Sequence, residues 1–153
     1  MADENLTKLL IVDDEESVLK LLKIALSDYD FSVEFAHDGK EAIEKINITD
    51  FDLVLTDFNM PGASGLEVTE VAKKKNPDTQ VIILTGYAEL NTAITALRLG
   101  ISDFIQKPIQ IKFLLNSLNK CIEKKKLIDK NLILTANLKE KNMKLKRVQE
   151  VCF

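Results

Sequence analysis

The stretch "LLIVDDEESV", residues 9–18, sets four apolar residues directly against four acids, Asp13, Asp14, Glu15 and Glu16. The apolar run is short, rich in branched side chains and bounded by charge, so it predicts a strand buried on both faces. Adjacent carboxylates repel, which leaves two readings of the acids. They are a solvated helix start favoured by the helix dipole, or they hold a cation.

Four more apolar segments follow. "FSVEFA" (31–36) alternates, as an edge strand with one wetter face does. "DLVLT" (52–56) and "QVIILT" (80–85) are nearly continuous, as central strands are, and "SDFIQ" (102–106) closes the set. Helical stripes lie between them. Val18, Leu21, Leu22, Ala25 and Leu26 predict a helix over 15–27, and Ala42, Ile43 and Ile46 one over 39–46. Leu66, Val68, Val71 and Ala72 predict one over 65–75, which Pro77 stops. Leu90, Ala93, Ile94 and Leu97 predict one over 89–99, with Gly100 as a left-handed cap. Crossovers of this length imply parallel strands wound right-handed, hence an open α/β sheet with helices on both faces.

The 153 residues are about one domain's worth, 46% apolar and 29% charged, as ordinary globular chains are. No run approaches the ~20 apolar residues that span a bilayer, so no membrane role is expected. The polar start "MADENLTK" is no secretory signal. Cys121 and Cys152 lack metal-site or disulfide spacing, and reduced thiols imply a cytoplasmic protein. The single histidine, His37, is read as solvated and argues against a His-based metal site or a Ser-His-Asp triad. The run Lys73-Lys74-Lys75 reads as a solvated helix end.

The net charge of −3 is unevenly spread. Residues 1–111 hold 10 basic and 20 acidic residues, a balance of −10, while residues 112–153 hold 11 and 4, a balance of +7. From Ile111 to Val151 there is no Gly or Pro, which suits one helix of about 60 Å. Ile111, Leu114, Leu118, Cys121 and Ile122 are expected to pack on the sheet. Beyond them Leu127, Leu134, Lys141 and Val148 recur every seven residues, as do Asn131, Leu138, Leu145 and Cys152. That is a heptad pattern blemished by Lys141 and Asn131, and such a helix needs a partner. A parallel two-stranded coil is the simplest, with Asn131 setting its register. The plainer alternative is a disordered basic tail.

Ligands of an open parallel sheet bind beyond the carboxyl ends of its strands. Asp13 and Asp14 follow the first predicted strand, Asp57 the third and Lys107 the fifth, and Thr85 ends the fourth. Singly each has a plainer use, as a helix cap, a turn residue, a strand end or a solvated cation. Together on one rim they suit phosphoryl chemistry. The carboxylates are hard oxygen ligands suited to Mg²⁺. Asp57 is expected to be exposed by its loop of Asn59, Pro61, Gly62 and Gly65, and a carboxylate can be a nucleophile. Lys107 and Thr85 offer donors to a phosphoryl group, and Gly86 leaves room for it.

At this point the chain resembles the response-regulator receiver domain of two-component signalling over residues 6–125. The matching pieces are "LLIVDDE", "DLVLTDFNMPGASGLEV", "VIILTGYA" and "LGISDFIQKPI", in the family's order and spacing. The resemblance implies a flavodoxin-like (βα)5 sheet of order 2-1-3-4-5 with an extended C-terminal helix. It implies that Asp57 accepts a phosphoryl group from a sensor histidine kinase or a phosphotransfer protein. Asp14, Asp57 and the backbone carbonyl of Asn59 would bind Mg²⁺, with Asp13 acting mostly through a metal-bound water. Thr85 and Lys107 would hold the phosphoryl group, and Thr85 and Phe104 would form the switch, acting on the helix at 89–99, the fifth strand and the last helix. Many family members have Tyr at the position of Phe104, so here the switch has packing alone. Gly86 stands where Ala is commoner, and Lys107-Pro108 resembles the family's cis peptide.

Residues 126–153 are then a coiled-coil extension or linker, through which a homodimer is expected. They contain no helix-turn-helix, so no nucleic-acid partner is expected through this chain. The leading function is a phosphoacceptor switch that acts as an enzyme only on itself. A phosphohydrolase is disfavoured because Asn59 stands where such enzymes need a second acid. The remaining alternative is a phosphate-independent dimerisation or scaffold module, against which the intact rim argues.

Overall fold

The computed structural model describes residues 6–86 and 90–151, giving the backbone alone for Leu90 and residues 146–151. Five strands, β1 (Thr7–Val12), β2 (Phe31–Ala36), β3 (Leu53–Asp57), β4 (Gln80–Thr85) and β5 (Asp103–Gln106), form one sheet. All pairings are parallel and the order is β2-β1-β3-β4-β5. Five helices alternate with them: α1 (Glu16–Ala25), α2 (Gly39–Ile48), α3 (Gly65–Lys75), α4 (Leu90–Arg98) and α5 (Ile111–Val151). This is the flavodoxin-like architecture expected from the sequence, long last helix included.

Successive side chains of a strand point to opposite faces, and both faces of the central strands are covered. Leu9, Ile11, Leu53, Leu55, Ile82 and Leu84 enter one core with Leu19 and Leu22 of α1 and Leu114, Leu118 and Cys121 of α5. Leu10, Val12, Val54, Val81 and Ile83 enter the other with Ala42, Ile46, Val68, Ala72 and Ala96. Hence the unbroken apolar runs of β1, β3 and β4. On the edge strand β2, Glu34 is exposed while Phe31, Val33 and Phe35 are half-buried.

Two helices face differently from their stripes. On α1, Leu19 is buried while Leu21 is 44% exposed. Among the described side chains of α4 only Ala96 is fully covered, and Ile94 and Leu97 are 41% and 64% exposed. The Leu90 side chain and residue 89 lie outside the described residues. The Lys73–Lys75 run is not simply solvated. Lys73 is half-buried and its Nζ donates to the Pro77 carbonyl at 3.2 Å, while Lys75 Nζ donates to the Ile46 carbonyl. Burial holds the Lys73 ammonium's pKa below its ordinary value.

Tight approaches fix the loops around the carboxyl rim. Ser64 caps α3 by accepting from Glu67 N–H at 3.3 Å, and Asp38 caps α2 by accepting from Glu41 N–H at 2.7 Å. Gly65 lies so close to the Asp57 carbonyl that a Cβ there would overlap it. The start of α3 is thereby pressed directly behind Asp57, so this glycine serves backbone packing rather than ligand approach.

Candidate functional site

Each rim residue takes its place from the strand before it. β1 ends at Val12 and releases Asp13 into a turn, where Asp13 Oδ1 accepts from Glu15 N–H at 2.9 Å. This bond turns the chain into α1, with Glu15 at the N-cap and Glu16 in the first turn. Asp57 is the last residue of β3, Thr85 the last of β4, and Lys107 follows β5. Lys107 N–H donates to the Thr85 carbonyl at 2.8 Å, tying the fourth and fifth strand ends together. The Lys107-Pro108 peptide is cis.

One oxygen from each of Asp13, Asp14 and Asp57 lies within 4.8 Å of the others. Asp13 is fully buried and Asp14 exposed. Asp57 is only 6% exposed, against the expectation from its loop, because Asp13 and Lys107 close over it. Lys107 Nζ lies 2.9 Å from Asp13 Oδ2, 3.3 Å from Asp57 Oδ2 and 3.6 Å from Glu15 Oε1. The Lys107 ammonium is the partner of the buried Asp13 Oδ2.

The electrostatics follow from this crowding. Burial and the Asp13 charge push the Asp57 carboxyl up from 3.8 to about 6, against the pull of Lys107. Burial alone would lower the Lys107 ammonium's pKa, but Asp13 and Asp57 outweigh it and raise it. The set thus holds an excess of negative charge around one ammonium. Three carboxylate oxygens gathered within 4.8 Å of one another, with more negative charge than one ammonium offsets, fit a small divalent cation bound through oxygen.

Among the other expected residues, Thr85 is 3% exposed at the end of β4. Asn59 is exposed in the turn after β3. Phe104 is half-buried against the core beneath α4. Two participants escaped the sequence reading. Glu15 reaches Lys107, and His37 is engaged rather than simply solvated. His37 Nε2 lies 3.2 Å from Glu16 Oε2 and Nδ1 3.4 Å from Glu41 Oε2, joining the end of β2 to α1 and α2. The backbone N–H of His37 also donates to Glu41, which holds that carboxyl below its ordinary pKa.

Comparison with known proteins shows the family and the fold. The family model of the response regulator receiver domain matches residues 9–119. The response regulator protein PilR of Pseudomonas aeruginosa is 40% identical over 104 residues, covering 68% of this chain and 23% of that protein. The transcriptional regulatory protein YkoG of Bacillus subtilis is 36% identical over 107 residues, covering 70% of this chain and 47% of that protein. The chain therefore spans between about a quarter and about half the length of these relatives. A CheY-like receiver domain from Methanospirillum hungatei superposes with a TM-score of 0.75 at 34% identity, over 80% of this chain and 98% of that one. The signal receiver domain of a putative LuxO repressor from Vibrio parahaemolyticus gives 0.76 at 27% identity, over 81% and 95%. The chain belongs to the response regulator receiver domain family of two-component signalling.

Proposed function

We propose that this receiver is a phosphoacceptor switch in which Asp57 takes a phosphoryl group from a sensor histidine kinase or a phosphotransfer protein. Receiver domains are signalling modules phosphorylated by such donors, and they bind Mg²⁺ at an acidic pocket. The observation that carries the reading is Lys107, held within 3.3 Å of Asp57 inside a cluster of three carboxylates.

In this reading an Asp57 oxygen attacks the phosphorus of a phosphohistidine. An O–P bond forms as the donor's N–P bond breaks, and the imidazole leaves. Asp14, Asp57 and the Asn59 carbonyl would hold Mg²⁺, with Asp13 acting mostly through a metal-bound water. Bound Mg²⁺ supplies charge neutralisation at the phosphoryl oxygens. Lys107 turns from Asp13 toward a phosphoryl oxygen, and the Thr85 hydroxyl donates to another. Moving Thr85 frees space for Phe104, which alters the surface of α4, β5 and α5. The only chemistry the chain catalyses is its own phosphorylation and dephosphorylation. We assign residues 6–125 to the receiver and 126–153 to a helical extension that forms a homodimer, in a cytoplasmic protein.

The Mg²⁺ assignment is tested by incubating the chain with acetyl phosphate and following the adduct by intact mass. Asp14→Asn should reduce uptake at least tenfold, and Glu16→Gln should leave it within about twofold. Equal uptake by wild type in excess EDTA and in Mg²⁺ would refute the assignment.

A further inference from the structure

The last part of α5 leaves the sheet without a partner: every residue from Asp129 to Leu145 is exposed. Leu127, Leu134, Leu138 and Leu145 are each between 57% and 62% exposed. At about 100° per residue they fall on one line with Asn131 and Lys141. That line lies on roughly the opposite side of the helix from Leu114, Leu118 and Cys121, which are buried against the sheet. A helix laid along it therefore meets α5 and not the receiver's sheet.

We infer that this line is covered by the same line of a second copy of the chain, running antiparallel and centred near residue 136. This rests on the dimer proposed above and specifies its geometry. Leu127 then faces Leu145 of the second copy, Asn131 faces Lys141, and Leu134 faces Leu138, each layer occurring twice by symmetry.

Charge decides the direction. A parallel pair in register sets every residue against itself, so two Lys141 ammonium groups share one core layer. Residues 139–147, with Lys139, Lys141, Lys144, Lys146 and Arg147 against Glu140 alone, would also lie beside their own copy. In the antiparallel pair Lys141 meets Asn131, whose amide oxygen accepts from the ammonium. Residues 139–147 then lie beside 125–133, where Asp129 offsets part of the charge of Lys125, Lys126 and Lys130. The opposing cost is a flanking Lys130–Lys144 pair toward each end of the seam. Those long side chains stay in water, where repulsion is weak, whereas like charges in a shared core layer are desolvated. The antiparallel sense also parts the two acidic receivers and brings each basic tail toward the other copy's receiver.

Single cysteines at exposed seam positions test the direction, in a Cys152→Ser background without phosphoryl donor or Mg²⁺. Failure here is then separate from failure of the phosphoacceptor reading. Under mild oxidation Leu127→Cys and Leu145→Cys chains should cross-link when mixed, and neither should cross-link alone. Self-cross-linking of each variant alone would establish the parallel sense and overturn the inference. Sedimentation of the unsubstituted chain covers the other failure. A dimer that becomes monomeric in the Leu134→Asp/Leu138→Asp variant supports the seam, and a monomeric wild type overturns it.

Discussion

Among the described residues Lys107 is the ammonium that faces Asp13, Asp57 and Glu15, and burial together with the Asp13 charge disfavours the ionised Asp57. Its folded pKa of about 6 lies above its ordinary 3.8. A raised acid is favourable to the fold when protonated, so Asp57 becomes destabilising as pH climbs from about 4 and fully so above about 6. The shift corresponds to at most about 3 kcal/mol. In EDTA, Asp57→Asn should therefore match wild type near pH 4 and exceed it in urea-unfolding free energy by about 1–3 kcal/mol at pH 7.5. A gap that shrinks with rising pH would contradict this. The five rim residues were legible in sequence because each stands at or just past the end of an apolar run. The reach of Glu15 to Lys107, the engagement of His37 and the burial of Asp57 were not. They depend on how long side chains lean across neighbouring strand ends, and sequence spacing does not encode that.

At the scale of elements, strands were read more securely than helix faces. The continuous runs of β1, β3 and β4 follow from two cores, one on each side of the sheet. Helix faces were blurred because α1 and α4 carry more apolar residues than the sheet covers. Leu21, Ile24, Ile94 and Leu97 all remain exposed, so periodicity alone could not say which were inward. The glycine beginning α3 has a sharper meaning. Gly65→Ala gains at most about 1 kcal/mol in helix propensity but drives a methyl into the Asp57 backbone carbonyl, which cannot yield as a flexible side chain would. Overpacking against backbone costs about 1–3 kcal/mol, so overpacking wins. The variant should unfold at lower denaturant concentration and take up phosphoryl groups more slowly, because Asp57 itself is displaced. Unchanged stability would show that α3 moves freely.

For the whole molecule, the sequence conveyed the sheet order through its resemblance to receivers, and the division of charge through composition alone. Residues 1–111 are acidic and carry the rim, while residues 112–153 are basic and include nearly all of α5 (Ile111–Val151). Among the described residues no helix is long and apolar enough to cross a membrane. Among the described residues the exposed leucines of α5 form an extended apolar line. The sequence pattern suggested a parallel coil as the simplest pairing along that line, whereas the charges in its layers favour the antiparallel sense inferred above, because a heptad pattern by itself reads equally well in either. In the function proposed above, the rim accepts the phosphoryl group and the helix pairs with a second copy. The rim is tested most directly by the intact mass of the chain after exposure to acetyl phosphate and Mg²⁺. Wild type should gain about 80 Da, the mass of one phosphoryl group, and Asp57→Asn should gain nothing. An adduct of equal yield on Asp57→Asn, or none on wild type, would contradict Asp57 as the acceptor.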